Sequence, residues 1–162
     1  MKTLFVSTFF IFLLLSYSNN AQDISLEEKE QLFILNNSKT GTDIINLFGN
    51  PDEKSKAEKW GADGMEHQMW YYRNIGIDLD LVKVDSKTLE ISSITIYEPS
   101  DLKTLKGLGI GSSREEVLTA YKTDIRNTEN TIFIMGGSDV SGINFNLENG
   151  KVKSIFIGAW AE

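Results

Sequence analysis

The chain has 162 residues, no cysteine, a single histidine and a formal net charge of −7. With no thiol there is no disulfide framework, no thiolate nucleophile and no lipid-modified cysteine, and one imidazole is too few for a metal centre built on two. A surface this acidic repels phosphate backbones and anionic lipid, which makes nucleic acid a poor partner.

At the N-terminus, Lys2 precedes an apolar run from Leu4 to Leu15 interrupted only by Ser7 and Thr8. Such a run is too short for a membrane span, which needs about 20 residues. It reads as an export signal with possible cleavage points after Ser18 or Ala21. Residues 1–21 are therefore expected to be a signal peptide, and the mature protein to be periplasmic or secreted without a stable membrane anchor. Removing that segment takes away one lysine and no acid, so the formal charge becomes −8.

Ser25 and Glu28 have capping-box spacing, which predicts a helix from Leu26 to about Leu35 that breaks at Asn36-Asn37-Ser38. Thr40 with Asp43 predicts a second helix, stopped at Gly49-Asn50-Pro51. Residues 53–66, with Trp60 embedded, read as a long loop or a short third helix. Strands are predicted over Gln68–Arg73, Ile77–Val84 and Glu90–Tyr97 from their alternation and the turn residues between them. Short connections favour an antiparallel meander. Beyond Pro99, Ser113 and Glu116 predict another capped helix, followed by strands over Thr131–Met135, Gly142–Leu147 and Lys151–Gly158, the last two joined by a hairpin loop containing Asn149-Gly150.

The chain repeats itself. Gly76-Ile77-Asp78-Leu79-Asp80-Leu81 reappears as Gly142-Ile143-Asn144-Phe145-Asn146-Leu147, and Ile91-Ser92-Ser93-Ile94-Thr95-Ile96 as Val152-Lys153-Ser154-Ile155-Phe156-Ile157. Upstream of each lies a helical segment of the same apolar spacing, Ile44, Ile45 and Phe48 against Val117, Leu118 and Tyr121. This predicts an α+β fold of two tandem helix-plus-antiparallel-sheet repeats, residues 22–99 and 100–162. The Trp60 loop is material inserted in the first copy.

Thr42-Asp43-Ile44-Ile45-Asn46-Leu47-Phe48-Gly49-Asn50-Pro51, followed by Trp70-Tyr71-Tyr72, an alternating strand and Leu89-Glu90-Ile91, resembles the outer-membrane lipoprotein family typified by BamE (SmpA/OmlA). In tandem, such units are similar to the beta-lactamase inhibitory protein family, and Gly109 to Val117 with Tyr121 fits the start of the second repeat. The resemblance implies a concave molecule of two repeats and a protein partner in the envelope or exterior. It carries over no contact residue. The lipid-anchoring cysteine and the disulfides of those families have no counterpart here.

Gly107, Gly109 and Gly111 before a helix invite a phosphate-loop reading, but no lysine follows and Glu115 and Glu116 occupy the first turn, so a turn and cap are expected. Asp63, Glu66 and His67 include cation-ligand types, yet the glycine-containing segment around them reads as a solvated loop. Asp78 and Asp80 lie two apart on one strand, hence on one face, a pairing known from glycoside hydrolysis. The second copy has Asn144 and Asn146 instead, as expected of a polar sheet face. Neither a catalytic residue nor a cofactor or metal site is expected.

If Ile77, Leu79 and Leu81 face the helices, the opposite face carries Asp78, Asp80, Asn144 and Asn146. Trp70, Tyr72, Tyr97, Phe156 and Trp160 are the aromatics expected to join it, either as an exposed protein-binding surface or as packing between the two halves. The function read from this is an exported, non-enzymatic protein-binding or envelope-scaffold module. The alternatives are a secreted inhibitor of a hydrolase and a hydrolase using Asp78 and Asp80.

Overall fold

A computed structural model describes residues 25–122, 125–136 and 140–160; the expected signal peptide and part of the turn after Gly136 lie outside them. Among the described residues, three α-helices are capped by the residues that the spacing singles out. Helix α1 (Leu26–Ile34) starts where the Ser25 hydroxyl accepts from the Glu28 amide at 3.2 Å. Helices α2 (Gly41–Phe48) and α3 (Arg114–Ala120) begin with complete capping boxes, Thr40 with Asp43 and Ser113 with Glu116.

Among the described residues, nine strands form one antiparallel sheet. They are β1 (Glu53–Lys54), β2 (Glu58–Lys59), β3 (Glu66–Tyr72), β4 (Ile77–Lys83), β5 (Leu89–Tyr97), β6 (Ile125–Asn127), β7 (Thr131–Met135), β8 (Ser141–Glu148) and β9 (Lys151–Ala159). Their order is β1-β3-β4-β5-β9-β8-β7-β6, with β2 also pairing β3. The segment expected to be a loop or helix thus holds two strands. Each is a Glu-Lys pair exposed at both positions, so no alternation betrays it.

Residues directly opposite one another in antiparallel strands share a face. Two rows therefore run unbroken across six strands: Trp70, Leu79, Ile94, Ile157, Ile143 and Ile134, and beside it Tyr72, Ile77, Ile96, Ile155, Phe145 and Ile132. All twelve belong to the core. Helices cover this face: the Phe48 ring of α2 meets Tyr72 edge-on at 5.9 Å, and Tyr121, at the end of α3, meets Phe145 at the same distance. Helix α1 is tied to the far half by buried Glu30, which accepts from the Leu105 amide at 2.7 Å and the Tyr121 hydroxyl at 2.9 Å.

Corresponding pairings occur on either side of the β5–β9 seam. Ile77 faces Ile96 as Ile143 faces Ile157, and Leu79 faces Ile94 as Phe145 faces Ile155. The register slips after Asp80 and again after Asn146. Isolated bridges join Thr40 to Glu90 and Ser113 to Lys151.

Candidate functional site

Among the described residues no helix lies over the other face of the sheet. Its central row reads Tyr71, Asp78, Thr95, Phe156, Asn144 and Phe133, polar groups interleaved with half-buried rings. The neighbouring row contains Met69, Asp80 and Ser93, and beyond Ser93 it reaches Gly158 and Gly142, which supply no side chain. A groove of about 720 Å³ opens there. Asp80, Ser92 and Ser93 line it together with His67, while Trp60 and Asp63 stand on one side and Val140, Phe156 and Trp160 on the other.

His67 is central to the acidic side. Its Nδ1 lies 2.7 Å from Asp80 Oδ2 and its Nε2 2.8 Å from Asp63 Oδ2, while the Trp60 indole is stacked on the ring. The imidazole is only 4 % exposed, so the expectation of a solvated loop here does not hold. Position 67 shares its strand parity with Met69 and Tyr71 and so points to the open face, where the Trp60 turn folds over it. That turn is closed by the Trp60 amide donating to the Met65 carbonyl at 3.0 Å, and Asp63 is oriented by the Met65 amide at 2.9 Å.

Two acceptors on one ring favour the doubly protonated imidazolium. Desolvation works against that charge, but hydrogen bonds to Asp63 and Asp80 and their charges outweigh it, raising the His67 pKa above its ordinary value. Asp63 is held below the usual carboxylate range by the Met65 amide first and His67 second. Burial pushes Asp80 up, with His67 and the Ser92 hydroxyl offsetting part of the rise. With both ring nitrogens engaged by carboxylates, His67 offers no free nitrogen to a substrate or a metal. Asp80 Oδ1 is different: it is buried without a hydrogen-bond partner in a residue 2 % exposed.

Of the residues expected on this face, Asp80, Phe156 and Trp160 come together at the groove. Trp160 meets Phe133 at 5.7 Å and Phe156 at 6.4 Å between ring centroids, an aromatic cluster that extends the apolar wall. Asp78 is on the same face but outside the groove, where its Oδ1 accepts from the Tyr97 hydroxyl at 2.8 Å. Burial raises the Asp78 pKa, partly offset by Tyr97 and Arg73, and pushes Tyr97 up to about 12, so Tyr97 stays a donor. Asn144 shares the row of Phe156, and Asn146 donates to the Ser154 hydroxyl at 3.0 Å.

Trp70 and Tyr72 are not on this face. Each is 3 % exposed and part of the core, because Trp70 sits opposite Leu79 and Tyr72 opposite Ile77. The alternation of β3 was legible in the sequence, but its phase against β4 was not. Tyr71 is the ring of that trio which faces outward.

No family model, curated protein or solved structure matches this chain. The functional reading therefore rests on the geometry of the site. The sequence places His67 with Asp63 and Glu66 in a solvated loop and Trp60 in the inserted segment; their union into one cluster with Asp80 has no sequence signal beyond the four-residue spacing of Asp63 and His67.

Proposed function

We propose that the chain is an exported, non-enzymatic protein-binding or envelope-scaffold module that engages its partner through the open sheet face. The observation that carries this reading is the helix-free face itself, with Tyr71, Phe133, Phe156 and Trp160 partly exposed among polar groups around a broad groove. Tryptophan and tyrosine offer large contact area at small entropic cost, which is why interfaces use them. The matching registers and paired register slips on both sides of the seam support a duplicated unit, as in the tandem arrangement of the beta-lactamase inhibitory protein, with each copy similar to BamE. Inhibition of a hydrolase is a special case of the same surface.

The hydrolase reading has less support. Asp78 and Asp80 both have raised pKa values, as a general acid needs, but one is engaged by Tyr97 outside the groove and the other by His67 inside it. They do not converge on one reacting atom.

The test is capture of a partner from envelope extract by the mature protein and by a Phe156→Ala/Trp160→Ala double variant, with a thermal melt of each. Loss of the retained protein by a variant that melts normally supports the face. Unchanged capture by that variant moves the binding surface elsewhere.

A further inference from the structure

We infer that the groove receives a basic side chain of the protein partner, with the guanidinium of an arginine over Asp80 Oδ1 and its stem along Phe156 and Trp160. The inference rests on the binding-module reading above and adds the chemistry of what binds.

Three independent observations lead to it. First, Asp80 Oδ1 is a buried carboxylate oxygen with no donor, in a residue that lines the groove. Leaving such a group unsatisfied is costly, so a ligand donor placed there gains more than one placed at the surface. Second, with His67 charged between Asp63 and Asp80 the cluster carries one net negative charge, within a chain of net charge −7. A cation brings that cluster to neutrality, whereas an anion meets repulsion. Third, the far wall is aromatic, with Trp160 and Phe156 across the groove from Trp60 on the near side. Indole and phenyl faces attract cations, and guanidinium stacks on them better than ammonium does.

Size and ligand count separate the possible cations. A groove of about 720 Å³ far exceeds a bare ion. A calcium or magnesium ion would want several oxygen ligands, and Asp80 presents one free oxygen. A long apolar stem with a charged tip matches an apolar wall leading to a buried acid. The planar guanidinium also has donors to spare for the Ser92 and Ser93 hydroxyls, which line the same groove.

The experiment titrates the protein with acetyl-Gly-Gly-Arg-Gly-Gly-amide and with peptides carrying citrulline, lysine or glutamate at the central position, following the Ser92 and Ser93 amides and the tryptophan indole signals by NMR. The arginine peptide is expected to shift these signals and to bind at least about tenfold more tightly than the citrulline peptide, since hydrogen bonds to charged groups are the stronger ones. Lysine is expected between them and glutamate to show nothing. Trp160→Ala, checked by a melt, is expected to weaken the arginine peptide, and Asp80→Asn to remove the preference over citrulline. Equal binding of arginine and citrulline, or shifts that survive Trp160→Ala, would overturn the inference, as would calcium chloride alone producing the same shifts. If arginine peptides leave the groove untouched while the Phe156→Ala/Trp160→Ala variant still loses its partner, the cation site falls and the binding face stands.

Discussion

The indole of Trp60 lies flat on the imidazole of His67, with 3.9 Å between ring centroids and 3° between planes. One ring belongs to a turn and the other to β3, so the stack, with the Asp63 and Asp80 hydrogen bonds, clamps the turn onto the sheet. The clamp is ionic and therefore pH-dependent.

Because the folded-state pKa of His67 is raised above 6.5, its contribution to stability is fully present below that value and is lost as pH rises through the raised one. Asp63 acts in the opposite sense: its pKa is lowered from 3.8, so its contribution is present above 3.8 and lost as pH falls through the lowered value. Asp80, raised from 3.8 by burial, contributes below 3.8 and loses that contribution as pH rises through its raised value. The His67 and Asp63 contributions are thus both fully present between about pH 4 and 6.5. Melting temperatures measured from pH 6 to 8.5 are expected to fall, and His67→Gln is expected to flatten that part of the curve. A slope unchanged in His67→Gln would assign the dependence to other groups.

Leu79 and Phe145 are fully buried on the helix-covered face. Truncating either to alanine leaves a cavity, so each substitution is expected to destabilise the protein by about 2–5 kcal/mol. Asp78→Asn, which keeps an oxygen acceptor for Tyr97, is expected to cost less than about 1 kcal/mol. Denaturant unfolding of the three variants checks the assignment of faces.

Trp70→Ala is expected to cost about 3–5 kcal/mol, a core effect and not a binding effect. Tyr72→Phe, which removes the hydroxyl donated to the Gly49 carbonyl at 3.0 Å, is expected to cost about 1 kcal/mol. Urea midpoints measure both. A Trp70→Ala variant as stable as the parent would place the indole outside the core.

Gly158 has φ +152°, and a Cβ there would stand 2.5 Å from the Ser93 Cβ. Gly158→Ala is therefore expected to destabilise by more than about 1 kcal/mol and to distort the groove beside Ser93. Gly61, with open space around it, provides the contrast: Gly61→Ala is expected to be neutral or to stabilise by up to about 1 kcal/mol. Melts of the two alanine variants decide it.

Local physics writes the helix starts and the strand alternation into neighbouring residues. Thr40 with Asp43 and Ser113 with Glu116 start helices because the bonds that cap them span three residues. Ile77 to Leu81 and Ile143 to Leu147 alternate because a strand buried on one face must, and their likeness could be read without any fold. Tertiary structure decided everything that depends on one strand's phase against another. Only the pairing of Trp70 with Leu79 sends that indole to the core and leaves Tyr71 outside, and a shift of one residue would reverse both. His67 needed more still: an aspartate 13 positions along on β4, another on a turn, and an indole stacked on its ring convert an apparently solvated histidine into a buried one held at both nitrogens. Phe156 reaches the groove because β9 pairs with β5, 61 positions earlier in the chain at Thr95. Contacts at such separations leave no period in the sequence, since what stabilises them is the burial and charge pairing that exist only once the sheet has closed.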